Sequence, residues 1–266
     1  MRVLQVMPKR KGAGNILLQY RNKVTSSNGE DGIIEYIAAR MNVAPGYCVE
    51  FGAWDGRLGS NTWNLLNHRG WKDLLIEADR AKYAQLESSY RDHPGAVTSN
   101  AFVGWQGDAA LDRHLERYGV PADFALLSID IDGNDWHVWR SLTRFRPRIV
   151  VIEFNNHVPN DILFIQEADI AVNQGSSLLA MIELGKQKGY ELVCTLGCNA
   201  FFVPREYFAL FGIENNHIDA MFDDTRTETR VFQCYDGTLV LAGKKSLNWH
   251  KIDFCDEDIQ ILPASL

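Results

Sequence analysis

Apolar positions in this chain fall into short continuous runs, several of which end in an acid, with amphipathic stretches between them. The first run, Tyr47-Cys48-Val49, reaches Glu50. Others cover 73–78 (DLLIEA), 97–103, 124–131 (FALLSIDI) and 148–154 (RIVVIEF). Runs of this length and composition predict buried strands. Between them, 82–91, 109–118 and a stretch through Trp136 and Trp139 to about 143 predict helices, the second with Leu111 and Leu115 on one face. A lead-in helix is expected over Ile33, Ile34, Ile37, Ala38 and Met41. Acids in its first turn suit the positive helix end, and Pro45-Gly46 stops it. Near-continuous apolar strands point to a parallel sheet covered on both faces. The alternation of strand and helix then predicts an α/β, Rossmann-like, doubly wound and mostly parallel sheet.

After the fifth strand the pattern loosens, and 157–175 reads as an insertion or lid. Ser176 or Ser177 caps a further helix through Leu178, Leu179, Ile182 and Leu184, ended by Gly189. A strand from Glu191 to Cys194 then pairs with Asn199–Val203 across Leu196-Gly197. The expected organisation is an N-terminal arm over 1–29, a core over 30–204 containing the lid, and a C-terminal elaboration of the same domain over 205–266. The last could serve as a lid or a dimer surface, so a homo-oligomer is compatible with it. Lys9-Arg10-Lys11 reads as part of a solvated arm.

A net charge of −7 and a pI near 5.5 disfavour a nucleic-acid partner held by bulk electrostatics. No stretch approaches the roughly 20 apolar residues of a membrane span, so no membrane partner is expected. The N-terminus lacks an apolar core long enough for a signal peptide. Five scattered cysteines form no C-x-x-C pair, which reads as reduced thiols and a cytoplasmic protein.

The stretch 47–62, YCVEFGAWDGRLGSNT, carries the most chemistry. A strand ending in an acid and followed by Gly52, Gly56 and Gly59 predicts a sharp turn into a helix whose first N–H groups face the same space. The spacing E-x-G-x-x-x-G is neither G-x-G-x-x-G nor G-x-x-x-x-G-K-[ST]. Glu50 and Asp55 would receive a pyrophosphate poorly, whereas an acid at a strand end suits a cationic amine or sulfonium. Glu77, at the tip of the next strand, is placed for two ribose hydroxyls. In doubly wound sheets ligands bind beyond the carboxyl ends of the strands, and Glu50, Glu77, Asp130, Asp132 and Glu153 all fall there.

The succession VEFGAWDG, LLIEAD, LLSIDIDGND and RPRIVVIEFN, preceded by SSNGEDGIIEYI, resembles the FkbM-like S-adenosylmethionine-dependent methyltransferases of class I. The resemblance covers roughly 26–204. It implies that Glu50, Gly52, Ala53 and Gly56 line the methionine part of S-adenosyl-L-methionine. Glu77, with Ala78 and Asp79 beside it, would hold the ribose, and Asn100 and Ala101 would lie near the adenine. Ala78 stands where the family has a proline and Asp132 where it has a glutamate.

Asp130 and Asp132 would share a side if the strand continued, and with Glu153, Asn155 and Asn156 they would form an oxygen-rich cluster suited to Mg2+ or another divalent cation. The alternative is that Asp130 binds the cofactor amine while Asp132 caps the following helix. His137 and His157 are the histidines nearest the expected site, and His157 is the better candidate base for a substrate hydroxyl. The catalytic expectation therefore rests on Asp130, Asp132 and His157, for methyl transfer to a hydroxyl of a sugar or another small-molecule acceptor. Two rivals use the same cofactor pocket: another S-adenosylmethionine enzyme, such as an aminopropyl transferase or cyclase, and a non-catalytic nucleoside-binding domain.

Overall fold

The computed structural model describes residues 11–247 and 250–260; Lys9 and Arg10 lie outside them. The chain runs α1 Glu30–Arg40, β1 Tyr47–Phe51, α2 Trp63–His68, β2 Lys72–Glu77, α3 Arg80–Tyr90, β3 Ala96–Asn100, α4 Leu111–Arg117, β4 Leu126–Ile129, α5 Asp135–Ser141 and β5 Ile149–Glu153. It continues with α6 Leu178–Gln187, β6 Tyr190–Leu196, β7 Asn199–Pro204 and α7 Ile218–Met221. Two small hairpins follow, β8 Thr229–Gln233 with β9 Leu239–Gly243 and β10 Ser246–Leu247 with β11 Ile252–Asp253.

Seven strands form one sheet in the order β3-β2-β1-β4-β5-β7-β6. β1 to β5 pair in parallel, and β7 is antiparallel to both its neighbours, β5 and β6. This is the Rossmann-like, doubly wound, mostly parallel sheet expected from the apolar runs. Every residue of β4 is buried, as are four of the five in β1 and in β5. That is why these strands read as unbroken apolar sequence. Burying each Leu, Ile or Val contributes about 1.5–3 kcal/mol, and the strands share one core with Ile33, Ile34 and Ile37 of α1 and Trp139 of α5.

Local signals fix the ends of several helices. The Asp79 carboxylate accepts from Ala81 N and Lys82 N to start α3, and Ser177 Oγ accepts from Ala180 N to start α6. The order reverses between β1 and β4, since the chain leaves β1 toward β2 and β3 and returns to β4 on the other side. A crevice at the carboxyl ends of β1 and β4 is the topological consequence.

The segment before α1 is strapped down. Asp31 Oδ2 accepts from Val24 N, Thr25 N and Ser26 N, at 2.9, 3.1 and 3.0 Å, and Ser26 bridges to Gly59. Lys11 is not solvated as expected: it pairs with Asp219 at 3.1 Å and Asp224 at 2.7 Å. All five cysteines are free thiols. Among the described residues, no helix is long and apolar enough to cross a membrane.

One buried group opposes the fold. Asp73, in β2, is fully buried and neither carboxylate oxygen has a hydrogen-bond partner. Burial first, and then the charge of Glu50, hold its pKa well above the ordinary value. The folded state therefore keeps a proton that the unfolded chain releases above about pH 4. Stability is lost as pH rises through that window, by up to about 1.4 kcal/mol per pH unit from this group. Asp73→Asn is expected to flatten that decline between pH 5 and pH 8 in chemical denaturation; parallel wild-type and variant curves would refute the assignment.

Candidate active site

A cavity of about 690 Å³ opens at the topological switch point. Its walls come from four strand ends: Glu50 to Trp54 after β1, Ile76 to Ala78 after β2, Ala101 to Val103 after β3, and Asp130 to Asp132 after β4. Of the residues expected to hold the cofactor, Glu50, Gly52, Ala53, Glu77, Ala78, Ala101 and Asp130 line it.

Glu50 is buried and shapes the wall from behind. Its carboxylate accepts from Ser60 Oγ at 2.6 Å, Asn61 N at 2.8 Å and Thr62 Oγ1 at 2.8 Å. Burial still raises its pKa, although those bonds oppose the shift. The expected sharp turn from strand to helix is replaced by a loop, since α2 begins only at Trp63. The N–H groups at that helix start are consumed inside it: Asn61 N by Glu50, and Thr62 N and Trp63 N by Ser60 Oγ.

Gly52 has φ +75°, and a Cβ there would meet Asp130 O at 2.1 Å. The glycine lets the β1 and β4 ends approach closely. Gly56 does not line the cavity; its missing Cβ makes room for Tyr90, whose hydroxyl donates to Gly56 O at 2.6 Å. Asn100 is likewise turned away, donating to Glu77 O and Ala78 O.

Glu77 accepts from Trp54 N at 2.9 Å through one oxygen and from Asp79 N at 2.7 Å through the other. An ionised carboxylate offers about four lone-pair sites, so each oxygen keeps one for a ligand.

β4 ends at Ile129, so Asp130 and Asp132 do not share a strand face. The loop brings them together instead, with Asp132 at φ +58°. Carboxylate oxygens of Asp130, Asp132 and Glu153 lie within 4.8 Å of one another. Asp132 does not cap α5; the Asp135 carboxylate takes that part of the turn, accepting from Ile131 N and Gly133 N. Desolvation, then the neighbouring acids, raises both Asp130 and Glu153. Two such groups can share a proton, or a divalent cation can neutralise them. The donor set fits a hard cation through these three carboxylates. Asn155 fits it less well than expected, because its amide already donates to Gln174 O and accepts from His157 N. Neither Asn155 nor Asn156 lines the cavity.

His157 is also outside the cavity wall. Its Nδ1–H donates to Thr227 O at 2.9 Å, and burial lowers its pKa. His137 donates to Gln166 O at 2.8 Å. The structure therefore does not bring the expected histidine base to the cavity; the acids there are the available proton acceptors.

The wall also holds residues that the sequence reading passed over: Lys23 and Thr25 from the strap, Asn61, Lys82, Phe102 and Asn134. Asn61 and Asn134 are buried, and each has an amide oxygen without a partner. Such an orphan costs about 1–3 kcal/mol, which an N–H or O–H donor brought beside it would relieve. Only the position of Asn61, inside the glycine stretch, was a signal in the sequence.

No family model matches the chain, and no curated protein matches it. Solved structures do resemble it. One is a TehB-like SAM-dependent methyltransferase from Corynebacterium glutamicum, at 14% identity over 64% of this chain and 86% of that one, TM-score 0.39. A second is the N-terminal domain of EvdMO1 with SAH bound, at 12% identity over 78% and 76%, TM-score 0.38. A third is the CMeT domain of the citrinin polyketide synthase, at 12% identity over 71% and 55%, TM-score 0.43. These are likenesses too distant to transfer an activity.

Gly52→Ala is expected to cost about 3 kcal/mol or more, combining a positive φ with the clash at Asp130 O. Gly119→Ala, also at positive φ but with nothing within 4 Å of the new Cβ, should cost about 1 kcal/mol. Equal losses in denaturant titrations would contradict this reading of the β1–β4 contact.

Proposed function

We propose that the protein is an S-adenosylmethionine-dependent methyltransferase of FkbM-like type, acting on a hydroxyl of a sugar or another small polar metabolite. The observation that carries the reading is the cavity at the switch point, walled by the Gly52 turn, Glu77 and Asp130 from three neighbouring strands. Its volume accommodates a nucleoside with an amino-acid tail. Its acids and orphan amide oxygens favour a ligand that brings cations and donors rather than a pyrophosphate.

When bound, S-adenosylmethionine supplies an electrophilic methyl group on a sulfonium. Glu77 has a lone pair on each oxygen for the ribose hydroxyls. Asp130 faces the region where the ammonium and sulfonium charges would lie. The chain's part in the reaction is chiefly to align the reactants and exclude water, with Ile170 and Asn173 of the lid segment adding to the wall. The raised carboxyl of Asp130, which lines the cavity, would provide a base stronger than an ordinary carboxylate for the acceptor proton. Asp130, Asp132 and Glu153 are also the residues that would hold a divalent cation, which would stabilise an alkoxide there.

Calorimetry with S-adenosylmethionine should show one site. Glu77→Ala should weaken it by at least about tenfold, since two charge-assisted hydrogen bonds are lost; no binding, or binding indifferent to the variant, defeats the reading. Release of S-adenosylhomocysteine with hydroxylated acceptors separates transfer from cyclisation, which consumes no methyl group. Undiminished turnover in EDTA would exclude an essential divalent cation.

A further inference from the structure

Among the residues lining the cavity, Lys23 and Lys82 are the only cations. Lys82 is already engaged: its Nζ lies 4.5 Å from the Trp54 ring centroid, and its charge acts on Asp132. Lys23 stands on the strap that borders the Glu50 loop, where Thr25 Oγ1 donates to Ser60 O at 3.3 Å and Ser26 bridges to Gly59. Its Nζ donates to Ser27 O at 3.0 Å. An ammonium has three donors, so two remain. The strap is held by the three backbone N–H groups bound to Asp31, which places Lys23 before any ligand arrives.

The methionine end of the proposed ligand is a zwitterion. Its ammonium and sulfonium suit the acids Glu50 and Asp130, but those same groups repel its carboxylate. A carboxylate at this end of the cavity needs a cation, and Lys23 lines the same cavity. Resting on the methyltransferase reading above, we infer that Lys23 is the residue that binds the carboxylate of the cofactor's amino-acid tail. This makes the segment before α1 part of the binding site, and it selects a ligand that carries an intact amino-acid tail over one that has lost its carboxyl group.

The test is isothermal calorimetry of the full chain with S-adenosylmethionine and with its decarboxylated analogue, for wild type, Lys23→Met and Lys23→Arg. Wild type should prefer the carboxylate-bearing ligand by about two- to fivefold, the range expected of a partly exposed ion pair, and the preference should shrink in high salt. Lys23→Met should abolish it without weakening the decarboxylated ligand, and Lys23→Arg should keep it. A Lys23→Met protein that retains the full preference, or a wild type that binds both ligands without one, overturns the assignment and leaves the methyltransferase reading standing. A wild type that binds neither ligand overturns both. Because Lys23 is exposed, its replacement leaves the core intact.

Discussion

The site depends on one buried carboxylate. Glu50, near the carboxyl end of β1, is 5% exposed and accepts three hydrogen bonds from the 60–62 loop. Without it that loop would be tied to the sheet only by the Asn61 amide donating to Ser128 Oγ of β4, and Ser60 would no longer be fixed to accept from Thr62 N and Trp63 N. Burying an acid is costly, and the raised pKa of Glu50 records that cost. The hydrogen bonds offset part of it and convert the remainder into a fixed geometry. The strap extends the same device outward, because Thr25 donates to Ser60 O and Ser26 bridges to Gly59. A chain of contacts therefore runs from the sheet through Glu50 and the glycine loop to Lys23.

Charge gives the cavity its character. Four strand-end acids line a space with two lysines in its wall. A doubly wound sheet puts ligands at this place whatever their chemistry; the fold supplies a location and the side chains supply the selectivity. The close packing of Gly52 against Asp130 O joins the two halves of the site. Movement of the β4 end is therefore tied to the β1 turn.

Much of this was legible in the sequence because strands buried on both faces leave a simple pattern. The runs at 73–78 and 148–154 became β2 and β5 within a residue or so at each end, and Ser177 capped its helix as expected. Glu50, Glu77 and Asp130 could be placed because each lies at the end of such a run. What escaped was set by contacts without periodicity. Gly56 serves Tyr90 rather than a ligand, and only the packing of α3 shows that. His157 is held by Thr227, far along the chain. Asp132 reaches the acid cluster through a left-handed residue in a loop, not by strand alternation. Lys23 lies in a polar stretch whose rigidity comes from a side chain, Asp31, bonding to backbone N–H groups, and such a bond has no signature in hydropathy.

A crystal structure of the protein with S-adenosylhomocysteine tests the account most directly. The account predicts the ribose hydroxyls within hydrogen-bond distance of both Glu77 oxygens, the sulfur beside the Gly52 turn and Asp130, and the ligand carboxylate toward the strap that carries Lys23. A ligand bound elsewhere, or one in this cavity whose ribose makes no contact with Glu77, would contradict it.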